Sequence, residues 1–165
     1  MNKTALITGA TSGIGKATAI VLAKNNFNVV LCGRREDRLQ ELYEELSQYT
    51  SVHTLTFDVR NKEAVAAQIG SLPEAFATID VLINNAGNAH GLDPIQNGSE
   101  DDWDAMIDIN VKGLLYISKA IIPQMVARKS GHIINIGSTA AKEVYPNGNV
   151  YCASKHAVDA LNQGM

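Results

Sequence analysis

The chain has 165 residues, 45% of them hydrophobic, enough for one domain with a sizeable core and too apolar for global disorder. Lys and Arg total 14 against 17 Asp and Glu, a formal charge of −3 without a long run of one sign, which excludes the footprint of a nucleic-acid partner. Cys32 and Cys152 form no CxxC, which argues against a disulfide framework, a zinc site or a dithiol redox centre and points to a reducing compartment. No signal peptide or spanning segment opens the sequence, so the expectation is a soluble, cytoplasmic protein without a membrane partner.

Taken in chain order, short β-branched apolar runs alternate with longer stretches of helical spacing. The strand candidates are Lys3 to Thr8, Asn28 to Cys32, Val52 to Phe57, Val81 to Asn84 and His132 to Ile136, each apolar enough to be covered on both faces. Between them, Gly15 to Lys24 carries Ala17, Ile20, Val21 and Leu22, and Glu36 to Tyr49 carries Leu39, Leu42, Tyr43 and Leu46, at the spacing of helices. Ser99, with Asp102 three residues on, reads as the N-cap of a helix through Trp103, Met106, Ile107, Val111 and Leu114. A last helix begins near Val150 and still runs its apolar pattern at Met165, as if the chain were cut within it. The alternation predicts an α/β fold: one domain over residues 1–165, a doubly wound parallel sheet of the Rossmann type with five strands visible, the C-terminal part missing, and a ligand crevice at the carboxyl ends of the strands.

Three motifs fall at those carboxyl ends. After the first strand comes Gly9-Ala10-Thr11-Ser12-Gly13-Ile14-Gly15, a glycine-rich turn opening a helix. Such a turn lets backbone approach a pyrophosphate and points free amides and the positive end of the helix dipole at it. The second strand ends in Gly33-Arg34-Arg35, where NAD-binding sites usually carry an acid against the ribose; two guanidinium groups there favour a 2′-phosphate, hence NADP. Asp58 and Val59 follow the third strand at the rim of the same crevice, where the carboxylate is placed to accept from the adenine amino group. Tyr151 and Lys155 are four residues apart on the last helix and so share a face, and a cation beside a phenol favours the phenolate, giving an acid/base pair suited to an alcohol and a carbonyl.

Together, the turn from Thr8 to Gly15, the run Asn84-Asn85-Ala86-Gly87, Ser138 beyond the fifth strand, and Tyr151 with Lys155 resemble the short-chain dehydrogenase/reductase family over nearly the whole chain. The resemblance implies a catalytic tetrad of Asn110, Ser138, Tyr151 and Lys155. In it Tyr151 takes the alcohol proton, Ser138 holds the substrate oxygen, Lys155 binds the nicotinamide ribose and lowers the tyrosine pKa, and Asn110 positions a water. It also implies that Asn85 lines the adenosine side of the cofactor, with Ala86 and Gly87 allowing close approach. The stretches Gly33 to Leu39, Trp103 to Asn110 and His132 to Ala140 are similar to NADP-dependent 3-hydroxy acid dehydrogenases acting on serine, allo-threonine or malonic semialdehyde. A general carbonyl or 3-oxoacyl-carrier-protein reductase shares the motifs, and a non-catalytic NADP-binding fragment is the alternative of another class. The family pairs its members into dimers and tetramers, which implies a homo-oligomer built on the helices from Ser99 and Val150, whose apolar residues are expected to be exposed.

The remaining polar residues read blandly. His53, His90, His132 and His156 lack ligand spacing, so no metal is expected. Glu100, Asp101, Asp102 and Asp104 complement the dipole of a helix start. Cys152 reads as a packing residue, and Tyr145, Asn147 and Asn149 stand where they either touch substrate or simply shape a loop.

Overall fold

The computed structural model describes residues 2–165. Five parallel strands, β1 (Thr4–Thr8), β2 (Asn28–Gly33), β3 (Val52–Thr56), β4 (Val81–Asn84) and β5 (His132–Asn135), lie in the order β3-β2-β1-β4-β5. The order reverses direction beside β1, the switch point at which doubly wound sheets open a crevice. The central strand β1 is buried along its whole length, and side chains alternate between two cores as the strand period of two requires. Ala5 and Ile7 join Val29, Leu31 and Ile83 beneath α1 (Gly13–Lys24) and α2 (Glu36–Leu46). Leu6 joins Val30, Leu82, Val65 and Ile117 beneath α3 (Lys62–Gly70) and α6 (Leu114–Ala127). Burying each such Leu, Ile or Val side chain contributes about 1.5 to 3 kcal/mol before entropy is charged against it.

The helix expected from Ser99 is three elements. α5 (Glu100–Ile107) starts as the spacing predicts, with Ser99 Oγ accepting from the Asp102 amide at 3.3 Å. It then widens into a π-type turn over Asp108–Gly113 before continuing as α6. Gly113 allows this, because a Cβ there would approach Val59 Cγ2 to 2.7 Å. The turn matters for the site, since it carries Asn110.

Several expectations need correction. α2 ends at Leu46 rather than Tyr49: Ser47 Oγ donates to the Tyr43 carbonyl at 2.6 Å and the Tyr49 amide turns back to Leu46 O. α3 and the short α4 (Glu74–Ala77) stand between β3 and β4, where no helix was delimited. β5 is not covered on both faces; His132 and Ile134 are exposed while their neighbours are half-buried. Of the apolar side chains expected to be exposed along the helices from Ser99 and Val150, the large ones are Leu115 and Val126 on α6 and Met165 just after the last helix, with Ala153 and Ala160 exposed on that helix itself. The last helix, α7 (Asn149–Gly164), packs against α5, the π-type turn and a 3₁₀ turn at Thr139–Ala141. Both cysteines are free and buried, Cys32 in β2 and Cys152 in α7. No helix of the described residues is long and apolar enough to cross a membrane.

Candidate active site

A cleft of about 510 Å³ runs along the carboxyl ends of the strands from Arg34 to Tyr151. Its floor is the turn after β1. Gly9 and Gly13 take φ of +65° and +54°, conformations in which a side chain is strained. A Cβ on Gly9 would also lie 2.9 Å from Asn85 Nδ2, so the turn and the loop after β4 close together only because that carbon is missing. Thr8 fastens the two: its Oγ1 accepts from the amides of Asn85 and Ala86, each at 3.0 Å. Asn85 Nδ2 returns the bond to the carbonyls of Thr8 (2.8 Å) and Gly9 (3.1 Å).

The turn fits a pyrophosphate. Nothing lies within 4 Å of a Cβ built on Gly13, and Ser12, the N-cap of α1, makes no side-chain bond to the first helical amides. Those donors face the cleft without a capping partner, as an anion site requires. Arg35 flanks the turn, donating through Nη2 to Thr11 Oγ1 (2.6 Å) and Ser12 Oγ (3.0 Å). Arg34 extends into solvent beside Asp58, Nη1 to Oδ2 3.7 Å. Burial alone would raise the Asp58 pKa, but hydrogen bonds from Arg60 and the charges of Arg60 and Arg34 outweigh it and hold the carboxyl below its ordinary range.

At the other end, α7 carries Tyr151 and Lys155 on one face, with Lys155 Nζ 6.0 Å from the phenol ring centroid. Lys155 is buried and donates to the Ile136 carbonyl at 3.0 Å, and burial lowers its pKa. Asn110 is buried behind it. Its Oδ1 accepts from the Asn88 amide (2.8 Å), while Nδ2 donates to Asn88 O (2.9 Å) and Ser154 Oγ (3.0 Å). Ser154 Oγ in turn donates to the Tyr151 carbonyl at 2.7 Å, tying the π-type turn, the loop after β4 and the last helix together. Ser138 follows β5 and caps the 3₁₀ turn, its Oγ accepting from the Ala140 amide at 3.1 Å.

Of the residues singled out from sequence, Gly9, Thr11, Ser12, Gly13, Ile14, Arg34, Arg35, Asp58, Val59, Asn85, Ala86, Gly87, Tyr151 and Lys155 all line this one cleft. Ala10 and Gly15 do not. Ala10 is fully buried and spends its amide on the Cys32 carbonyl at 3.1 Å. Gly15 packs under the turn, where a Cβ would collide with Gly9 O and Asn85 Nδ2. Asn110 and Ser138 stand beside the cleft rather than in its wall. Asn147 and Asn149 line a small hollow that shares Tyr151 with the cleft. Sequence reasoning missed Phe57, Asn88, Ile109 and Gly137 in the lining, and Arg60 and Ser154 behind it. Ser154 had a signal, lying three residues after Tyr151 on the same helix. Among the described residues no group of three or more His, Cys, Asp or Glu side chains is placed to hold a metal ion.

The strand order, the glycine turn on a helix start and the cleft across the switch point define a Rossmann-type dinucleotide-binding architecture. The sequence model of the short chain dehydrogenase family matches residues 3–165, and the chain belongs to that family. It is 49% identical over 150 residues to the NADP-dependent 3-hydroxy acid dehydrogenase YdfG of Salmonella typhi, a match covering 91% of this chain and 60% of the relative. It is 47% identical over 166 residues to sulfoacetaldehyde reductase 2 of Chromohalobacter salexigens, covering 100% of this chain and 66% of that protein. Among solved structures, the closed form of a serine dehydrogenase complexed with NADP+ superposes with a TM-score of 0.93 at 44% identity, covering 98% of this chain and 64% of that one. The chain thus spans about 60% of the length of the first curated relatives it matches.

Proposed function

We propose that the chain carries the cofactor site and the proton-transfer residues of an oxidoreductase that moves hydride between NADP(H) and a small 3-hydroxy acid or its 3-oxo partner, of the serine, allo-threonine or malonic semialdehyde type. One observation carries the reading: a single cleft joins the uncapped glycine turn and Arg34 at one end to Tyr151 and Lys155 at the other. The relatives named for NADP-dependent 3-hydroxy acid dehydrogenation and serine dehydrogenation favour this substrate class. When bound, the nicotinamide cofactor supplies the hydride acceptor or donor. The turn from Gly9 to Gly13 and the α1 amides hold its pyrophosphate, Arg34 meets the 2′-phosphate, and Asn85, Ala86, Gly87, Asp58 and Val59 form the adenosine side.

The chemistry asked of the protein is proton transfer at an alcohol oxygen. Tyr151 Oη takes that proton as the hydride leaves carbon, and returns it in the reductive direction. Lys155, as an ammonium, favours the phenolate and binds the ribose hydroxyls, while Ser138 Oγ donates to the substrate oxygen. Asn110 completes the set from behind. Both of its amide hydrogens are spent on Asn88 O and Ser154 Oγ, so a relay water would meet this side chain only by donating to its Oδ1. The protein works as a cytoplasmic homo-oligomer.

Tyr151→Phe is the direct test. It is expected to lower kcat by about 10²- to 10⁴-fold, the usual contribution of a positioned acid/base group, while the Kd for NADP+ stays within about twofold. Undiminished turnover with serine or a related 3-hydroxy acid overturns the assignment.

A further inference from the structure

The phosphate end of the cleft contains an apparent contradiction. A 2′-phosphate carries about −1.5 to −2 charges at neutral pH, yet the wall meant to receive it includes the Asp58 carboxylate, 3.7 Å from Arg34. Left alone, that carboxylate would draw Arg34 onto itself and oppose the phosphate. It is not left alone. Arg60, two residues on, donates to Asp58 Oδ2 through Nε (3.0 Å) and Nη2 (2.7 Å), and its backbone amide donates to Oδ1 at 3.0 Å. The guanidinium fork and the amide grip the carboxylate on both oxygens. Arg34 makes only the longer contact, and its side chain is 62% exposed. Arg60 itself does not line the cleft.

We propose that Arg60 is a positioning residue for cofactor discrimination: by holding and neutralising Asp58 it leaves Arg34 free to meet the 2′-phosphate. The proposal rests on the reading of the cleft as an NADP site and assigns a role to a residue outside it. Charge and geometry agree, since the same Arg60 contacts keep Asp58 ionised and already paired. Replacing Arg60 releases a carboxylate whose nearest remaining cation is Arg34, so affinity is lost for the cofactor with the extra phosphate and not for the one without it.

The experiment is a double-mutant cycle read as the ratio of Kd for NAD+ to Kd for NADP+, by calorimetric titration of the folded chain at low ionic strength. Contacts common to both cofactors, including any bond from Asp58 to the adenine, cancel in that ratio. Arg60→Gln is expected to lower the ratio about fivefold, the scale of a partly exposed ion pair, and the drop should shrink in high salt. In an Asp58→Asn background, Arg60→Gln should leave the ratio unchanged, because no carboxylate remains to be restrained. An unchanged ratio in R60Q overturns the role of Arg60. An equal drop in both backgrounds also overturns it, since Arg60 would then act on the phosphate directly. A parent chain with no preference for NADP+ overturns the cofactor reading itself, which separates the two failures.

Discussion

The two ends of the cleft are built on opposite principles. The nucleotide end depends on atoms that are absent: Gly9 and Gly15 let backbone close on the turn, Gly13 takes a positive φ that would strain a side chain, and a Cβ on Gly33 would come within 2.7 Å of Thr11 Cγ2. The proton-transfer end depends on atoms that are present and paired: Asn110 commits its side chain to Asn88 and Ser154 from two other parts of the fold, and the Ser154 hydroxyl donates onward to the Tyr151 carbonyl within α7. Addition of one carbon should therefore break the first, and removal of one amide the second.

The largest effect is expected at Gly15. Gly15→Ala places a methyl against the Gly9 carbonyl, which is backbone and cannot swing away; overpacking of this kind should cost about 3 kcal/mol and abolish detectable NADP+ binding by calorimetry. Asn110→Ala sharpens the contrast. It strands the Asn88 amide and carbonyl, and urea denaturation should report a loss of about 2 kcal/mol with the m-value unchanged. Ser99→Ala, remote from both ends, removes only the α5 cap and should cost about 1 kcal/mol, read the same way.

The smallest effect is a slope with pH. Lys155 has an ordinary pKa of 10.5 in the unfolded chain and a lower one in the fold, because burial penalises its charge. Between those two values the unfolded state binds more protons, so stability should rise with pH as the folded pKa is passed. Lys155→Met should flatten that rise in denaturation curves taken across the alkaline range. A rise that survives the substitution would assign it to another group.

This contrast also explains what could be read from the chain alone. The nucleotide end lies in one local run, from Thr8 to Gly15, and in the residues at the ends of β2 and β3, so spacing exposes it. The apolar alternation of β1, β2 and β4 is equally local, and their positions followed within a residue. The pairing of Asn110 with Asn88 and Ser154 spans 22 and 44 positions and leaves no periodic trace. The π-type turn that carries Asn110 is also invisible, since its residues Asp108–Gly113 read as plain helix. α3 was overlooked for a different reason: Lys62–Gly70 is short and rich in alanine, with only Val65 and Ile69 buried, too few to show a stripe. Its start was nonetheless marked by Asn61, whose Oδ1 caps the Ala64 amide at 2.9 Å. β5 stands at one margin of the sheet, and its exposure cannot be read from His132-Ile133-Ile134-Asn135, whose apolar residues match those of a covered strand.

Finally, the two buried cysteines supply a built-in clock for this architecture. Cys32 lies in β2 under the nucleotide end, its thiol pushed far up by burial, and Cys152 lies in α7 beside Tyr151. Neither sulfur is accessible to an alkylating reagent until its own element opens. Mass-resolved labelling of the untouched protein therefore times the opening of each end separately, with no probe introduced, and shows which end a bound nucleotide closes first.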